Sequence, residues 1–194
     1  MHRLFVALRP PPAVRAALLA TTGAGVAGVR WQDDEQLHLT LRFIGEVERT
    51  QAEDVAAALA GVTAPVPTVR VEGVGAFDQR GRIDTLWARI VPAEPLAALH
   101  RKVDQALSRA AVARDQRRYL PHITLARLPR RGADPVAVAR WTEAHAALAT
   151  PEFQLEHLLL YESHLTAAGA RYEAVARWPL GCAARQSGGG SPQS

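Results

Sequence analysis

The sequence contains a single cysteine, Cys182, so an internal disulfide cannot contribute to its stability. Without disulfides, the cytoplasm is the expected location. No apolar run approaches the ~18–20 residues that a membrane-spanning helix needs, so we expect no contact with a membrane. The apolar part of the N-terminal stretch MHRLFVALRPPP is short and has no small-residue cleavage site, so it predicts a first β-strand rather than a secretion signal.

Lysine is almost absent, because Lys102 stands alone and the other 22 of the 23 basic residues are arginine. The net charge of +4 permits an anionic partner such as RNA, and guanidinium groups suit phosphate oxygens, although GC-rich codon usage would give the same composition. Lys102 begins KVDQ, which lacks the glycine of a Lys-x-Asp-Gly adenylation motif, and no Gly-x-x-x-x-Gly-Lys phosphate loop occurs. The sequence therefore gives no support to an ATP-dependent ligase.

The 194 residues are 48% hydrophobic and 22% charged, as expected for a globular protein with a substantial core. Thr50 and Glu53 have the spacing of a capping box and predict the start of a helix. The tail at 181–194 is small and polar and is predicted to be disordered. Periodicity predicts strands at 3–9, 37–44, 68–74, 85–91, 122–128, 153–161 and 171–177, and helices at 13–22, 50–59, 94–113 and 135–148.

Two stretches, LHLTLRF at 37–43 and PHITLAR at 121–127, repeat the order histidine, apolar residue, threonine, leucine. Alternate residues of a strand face the same side. His38 and Thr40 should therefore share one face, and His122 and Thr124 should do the same, with the apolar residues turned toward a core. A third His-x-Thr triplet at 164–166 lacks the leucine and is predicted to lie in a hairpin turn.

The two motifs are 84 residues apart, and the same shift matches features that follow them. It aligns Phe77 with Tyr161, and Leu86 with Ala170. This agreement predicts an internal duplication. If the two halves pack about an approximate two-fold axis, both His-x-Thr pairs would line one cleft.

Paired histidines across a cleft suit the cleavage of a P–O bond, which needs a base for the attacking water and an acid for the leaving alkoxide. The threonine hydroxyls would donate hydrogen bonds to phosphate oxygens, and a nearby arginine would add a charge-assisted contact. Residue types alone do not assign acid and base, because the motifs are near copies. Neither motif contains a cysteine or carboxylate as a third metal ligand, so we expect no metal.

The stretches RLFVALRPP, LHLTLRFIGEV, GAFD, LWARI, LPHITLAR and LYESHLTAAGARYE, in this order, resemble the bacterial RNA 2',3'-cyclic phosphodiesterases of the 2H phosphoesterase superfamily, long called 2'-5' RNA ligases. The resemblance extends over residues 3–180. It implies an α+β fold of two pseudo-symmetric lobes, each an antiparallel sheet flanked by helices, which intertwine in a single domain of residues 1–180 around a central cleft that carries both motifs. It implies metal-independent hydrolysis of RNA 2',3'-cyclic phosphate ends to 2'-phosphates. It also implies that His38 is the proton donor and His122 the proton acceptor, with Thr40, Thr124 and Arg127 contacting the phosphate.

Several alternatives stay open at this point. Strict alternation places Arg127 on the face opposite His122 but keeps Arg42 on the face of His38, so both arginines are candidates for the phosphate contact. Phe5 and Tyr119 are candidates for stacking on a base, although core packing explains them more simply. The chain could instead be an RNA-end binding module with little turnover, and we expect a monomer in either case. Joining of a cyclic phosphate end to a 5'-hydroxyl is chemically allowed as a side activity.

Overall fold

The structure of the protein, a computed structural model, describes residues 1–23, 25–78, 82–128, 133–166 and 169–181. Within these ranges the chain forms nine strands and four helices, with a short 3-10 turn at Asp34–Gln36. The strands are β1 (His2–Leu8), β2 (Arg30–Trp31), β3 (Leu39–Val47), β4 (Thr68–Asp78), β5 (Ile83–Val91), β6 (His122–Arg127), β7 (Phe153–Gln154), β8 (His157–Thr166) and β9 (Gly169–Pro179), and the helices are α1 (Pro12–Leu19), α2 (Arg49–Ala60), α3 (Glu94–Arg109) and α4 (Pro135–Ala144).

The strands form one antiparallel array in the order β7-β4-β5-β6-β3-β1-β8-β9, with β2 beside β6. At its centre, β3 and β6 pair through one residue pair, Leu39 with Ile123. The array therefore divides there into two halves, β7-β4-β5-β6 with the short β2 beside it and β3-β1-β8-β9. This arrangement confirms the predicted α+β fold with two lobes, and it brings the two motif strands side by side where the lobes meet.

The strand order shows which segments correspond between the lobes. β5 lies between β6 and β4, as β1 lies between β3 and β8. The repeated unit is therefore β1-α1-β3-α2-β4 in one half and β5-α3-β6-α4-β8 in the other, with β9 as an added edge strand. The sequence comparison had matched Leu86 of β5 with Ala170 of β9. That match was wrong, because the β4–β5 hairpin crosses the boundary between the two repeats.

The apolar residues of the two motifs lie in the core, as predicted. Leu39 and Leu41 of β3 are 1% and 3% exposed, and Ile123 and Leu125 of β6 are both 0% exposed. Burial of each such side chain contributes roughly 1.5–3 kcal/mol. This packing holds the two motif strands in the register that turns their polar residues away from the core.

The helices begin at residues suited to a first turn. Pro12 opens α1 and Pro135 opens α4, where the side chain of Asp134 accepts a hydrogen bond from the backbone N–H of Val136. The predicted capping box of α2 was wrong, because α2 starts after Glu48 and no side chain caps it.

In the described part of the chain, no helix has both the length and the apolar character needed to cross a membrane. Of the tail at 181–194 that was predicted to be disordered, only Gly181 is among the described residues. The prediction for 182–194 lies outside them.

Candidate functional site

The single pairing between β3 and β6 sets the geometry of the site. Because the strands are antiparallel with Leu39 opposite Ile123, the adjacent positions place His38 across from Thr124. By the same register, Thr40 lies across from His122. All four polar side chains line one cleft of about 570 Å³ between the lobes. Each histidine therefore faces the threonine of the other motif.

Both histidines are oriented by the same backbone contact. Nδ1 of His38 lies 2.6 Å from the carbonyl oxygen of Gln36, and Nδ1 of His122 lies 2.8 Å from that of Leu120. A carbonyl oxygen only accepts hydrogen bonds, so Nδ1 carries the proton in both rings. Nε2 is then left to accept or donate a proton in the cleft.

Aromatic rings hold the first histidine. The ring centroid of His38 is 4.9 Å from that of Phe5 and 5.1 Å from that of Tyr172, which meets it edge-on. Tyr161 stacks on Phe5 at 5.2 Å, and its ring centroid is 6.1 Å from that of His38. These contacts restrict rotation of the imidazole and shield it from water.

The second histidine has a corresponding aromatic support. Phe77 meets the ring of His122 edge-on at 4.8 Å, and Trp87 lies 6.0 Å away and stacks on Phe77. The 84-residue shift that relates the motifs also relates Phe77 to Tyr161. Phe77 lies on β4 and Tyr161 on β8, the strands that end the two repeats. Each motif histidine is thus held by an aromatic side chain from one of these two strands.

The environment favours the neutral form of both histidines. Burial is the main reason that the pKa of His38 falls to about 4, and the positive charge of Arg127 lowers it further. Burial and then Arg127 also lower the pKa of His122, while the bond to Leu120 opposes the shift. Both rings are therefore neutral near pH 7 when no anion shares the cleft. A histidine that is to donate a proton therefore requires an anion in the cleft. The negative charge of the anion offsets the lowering of the histidine pKa by burial and by Arg127.

A β-bulge decides which residues of β3 face the cleft. Strand β1 pairs with Thr40 and next with Arg42, so Leu41 is an extra residue. A bulge interrupts the alternation of faces. Arg42, four residues after His38, is therefore only 7% exposed, whereas Phe43 is 51% exposed and lines the cleft.

An equivalent bulge lies in β6. Strand β5 pairs with Thr124 and next with Ala126, so Leu125 is the extra residue. Arg127, five residues after His122, thereby returns to the cleft face and lines the cleft. The expectation from strict alternation was wrong because the bulge shifts the face by one residue.

Arg127 is held in place by a neighbour on β5. Its Nη1 donates a hydrogen bond of 3.0 Å to Oγ1 of Thr85, which is buried. The rest of the guanidinium remains available to the cleft, where it can donate to phosphate oxygens. Phe43 occupies the equivalent position in the other lobe, so the two sides of the cleft differ by one cation and one aromatic ring.

Arg42 has an internal role, and its prediction as a phosphate contact was wrong. Its Nε donates to Oδ1 of Asp104 on α3 at 2.9 Å, and its two Nη atoms donate to the carbonyl oxygens of Phe43 and Ala113. The guanidinium is engaged on all sides beneath the sheet surface. It joins β3 to α3 and to the loop that follows α3.

We expect Arg42→Met to lower the free energy of unfolding by about 3–5 kcal/mol, because it leaves the carboxylate of Asp104 buried without its cation. Urea denaturation measures this loss. Arg127→Met removes a cation from the open cleft and should change stability by less than about 1 kcal/mol. The double variant Arg42→Met with Asp104→Leu should regain most of the loss. Equal stability of Arg42→Met and wild type would contradict an internal role for Arg42.

The two residues that were predicted to stack on a base, Phe5 and Tyr119, have their rings packed against other aromatic side chains. Phe5 borders the cleft but is 3% exposed, with its ring packed against His38 and Tyr161. Tyr119 stacks on His100 at 4.4 Å and donates from its hydroxyl to the carbonyl oxygen of Thr40. Burial raises the pKa of the Tyr119 hydroxyl. Both residues support the motif strands, and each also lines a cavity beside the motifs, so their contact with a base stays a prediction.

Sequence reasoning missed several side chains that line the cleft. Phe43 follows the first motif at the distance at which Arg127 follows the second, and that shared spacing was a usable signal. Gln32 and Arg117 come from loops without any motif, so no local pattern could identify them, whereas Tyr172 lies on β9 within the stretch LYESHLTAAGARYE that carries the resemblance. Within the described ranges, no three His, Cys, Asp or Glu side chains are grouped so that they could hold a metal ion.

A sequence model described as the 2'-5' RNA ligase superfamily matches residues 10–169. The chain belongs to this superfamily. Among its relatives, an RNA 2',3'-cyclic phosphodiesterase from Archaeoglobus fulgidus is 28% identical over 173 residues, which are 88% of this chain and 96% of the relative. A protein of the same name from Methanocaldococcus jannaschii is 24% identical over 91% of this chain and 99% of its own length.

Two solved structures have the same fold as this chain. The crystal structure of TT0787 of Thermus thermophilus is 26% identical, with a TM-score of 0.72 over 92% of this chain and 97% of its own. E. coli LigT in apo form is 24% identical, with a TM-score of 0.71 over 92% of this chain and 97% of its own. The two-lobed architecture of this superfamily member is therefore shared along nearly its whole length.

Proposed function

We propose that the chain hydrolyses RNA 2',3'-cyclic phosphate ends to 2'-phosphates without a metal ion. The observation that carries this proposal is the pairing of Leu39 with Ile123, which sets two His-x-Thr motifs face to face in one cleft. The names of the relatives from A. fulgidus and M. jannaschii support the choice of substrate.

In the proposed reaction, Nε2 of His122 takes a proton from water as the water oxygen attacks phosphorus. The P–O3' bond breaks in line with this attack, and Nε2 of His38 gives its proton to O3'. The product carries a 2'-phosphate, and the two histidines exchange protons with solvent before the next cycle. The donor form of His38 needs the negative charge of the substrate, because its pKa without an anion beside it is about 4.

Charge on the phosphate would be stabilised by three groups. The hydroxyls of Thr40 and Thr124 would donate to the non-bridging oxygens from the two lobes, and Arg127 would add a charge-assisted bond. If a 5'-hydroxyl replaced water, the same acid and base would form a 2'-5' linkage. Ligation of this kind would therefore be a side activity of the same site.

We expect the purified protein, in excess EDTA, to convert an oligonucleotide ending in a 2',3'-cyclic phosphate entirely into the 2'-phosphate isomer. Chromatography against authentic 2'- and 3'-phosphate standards identifies the product. An otherwise identical oligonucleotide with a 3'-phosphate is the control and should remain unchanged. A 3'-phosphate product or a requirement for added metal would contradict the proposal. Tight binding without turnover would favour the alternative, an RNA-end binding module.

A further inference from the structure

A second groove, of about 580 Å³, opens beside the cleft. We call it the side groove; it lies between β3 and the loop at 110–121 that follows α3. It shares Thr40, Phe43, His122 and Arg117 with the cleft, so the two spaces are continuous. Their volumes are nearly equal. A ligand that fills the cleft with one unit could therefore place the next unit in the side groove.

The surface of the side groove combines apolar walls with positive charge. Phe43 and Leu120 are 51% and 45% exposed, which is unusual for side chains of this size. Arg117 and Arg118 line the groove, and Asp115 is its one carboxylate in the described part of the chain. Single-stranded nucleic acids bind to surfaces of this kind, where cations follow the backbone and apolar groups meet the bases.

Arg117 is presented in a fixed direction. Its Nε and Nη2 each donate a hydrogen bond of 3.1 Å to the carboxylate of Asp115. The Arg117 side chain is 79% exposed, whereas that of Asp115 is 19% exposed. Asp115 therefore acts as a partly buried support, and Nη1 of Arg117 remains free to donate to a ligand.

The loop that carries Arg117 is itself anchored from below. Arg42 donates to the carbonyl oxygen of Ala113, and Oδ1 of Asp104 accepts hydrogen bonds from both Arg42 and the backbone N–H of Asp115. The buried ion pair thus connects the first motif strand to the loop. This anchoring keeps Arg117 at the junction of the cleft and the side groove.

We propose that the side groove binds the nucleotide that precedes the terminal cyclic phosphate nucleotide, with Arg117 contacting the phosphodiester that joins the two. The inference rests on the proposed function, since it takes the terminal phosphate to lie in the cleft. The substrate class is then an oligonucleotide end rather than a mononucleotide. The contact would be to a phosphate, so it is independent of base sequence.

Binding measurements test this inference without relying on turnover. The ligands are a 5'-fluorescein tetranucleotide ending in a 2'-phosphate and, as a competitor, a nucleoside 2'-monophosphate. We expect Arg117→Ala to lower the ratio of tetranucleotide to mononucleotide affinity about tenfold, as for the loss of a charge-assisted bond. The salt dependence of tetranucleotide binding should also fall by about 0.7 in log–log slope.

Arg114→Ala is the matched control, because Arg114 lies in the same loop, carries the same charge and does not line the side groove. It should leave both affinities at wild-type values. Equal affinity ratios in Arg117→Ala and Arg114→Ala would overturn the inference even if the protein hydrolyses cyclic phosphates. A tenfold loss of the ratio in a protein without turnover would support the side groove and contradict the proposed hydrolysis. Binding of neither ligand would overturn the inference, while the product of the cyclic phosphate assay decides the proposed hydrolysis separately.

Discussion

Replacement of either His38 or His122 by alanine is expected to lower kcat on an RNA 2',3'-cyclic phosphate by about 10²–10⁴-fold. Each variant removes one of the two proton transfers, and general acid–base catalysis typically contributes that factor. Steady-state hydrolysis of the oligonucleotide measures the loss. His145→Ala is the matched control, because its Nδ1 also bonds a backbone carbonyl oxygen, that of Trp141, but the ring does not line the cleft. It should keep wild-type kcat.

A modified substrate separates the two roles. When sulfur replaces the 3'-bridging oxygen of the cyclic phosphate, the leaving group is a thiolate, which departs without being protonated because thiols have pKa values near ~8.5. On this substrate His38→Ala should regain most of the wild-type rate, whereas His122→Ala should not. The reverse pattern would show that His122 is the proton donor and His38 the proton acceptor. Near wild-type rates for both variants on the natural substrate would refute the two-histidine mechanism.

Arg127→Gln is expected to lower kcat/KM by about 10²–10³-fold, which is typical of losing one hydrogen bond donor to a developing charge. It should also move the pH profile of kcat/KM. The cation at Arg127 lowers the pKa of both His38 and His122. Without it, the imidazolium forms persist to higher pH, so the alkaline limb of the profile shifts to higher pH.

Arg127→Lys separates charge from geometry. Lysine keeps the positive charge, so the alkaline limb should stay near its wild-type position while the rate still falls from the loss of the planar guanidinium. The pH dependence of kcat/KM for wild type, Arg127→Gln and Arg127→Lys tests this directly. An unchanged limb in Arg127→Gln, or a loss below about threefold, would show that Arg127 does not act on the phosphate site.

Some features could be predicted because they follow from local rules. Alternation along a strand placed His38 and Thr40 on one face and Leu39 on the other, and the 84-residue shift related the two halves. The same shift also related Phe77 to Tyr161, which the structure places beside the two motif histidines. Prolines at the first turns of helices likewise act within a few residues.

Other features depend on contacts between distant segments. The bulges in β3 and β6 arise from pairing with β1 and β5, and they alone turn Arg127 into the cleft and Arg42 away from it. The position of Arg42 also required Asp104, 62 residues away in the chain. Tyr119 became a support because α3 places His100 against its ring. No pattern within a single strand contains this information.

The sequence by itself therefore determined the duplication and the two His-x-Thr pairs, because periodicity and spacing are properties of the chain alone, and its resemblance to a known family predicted the fold class. The tertiary structure decided which histidine faces which threonine, which arginine reaches the cleft, and that a side groove adjoins it. Those outcomes depend on strand register and on buried partners from other elements. One extra residue in a strand reverses the direction of every side chain after it, and only the neighbouring strand shows where that residue lies.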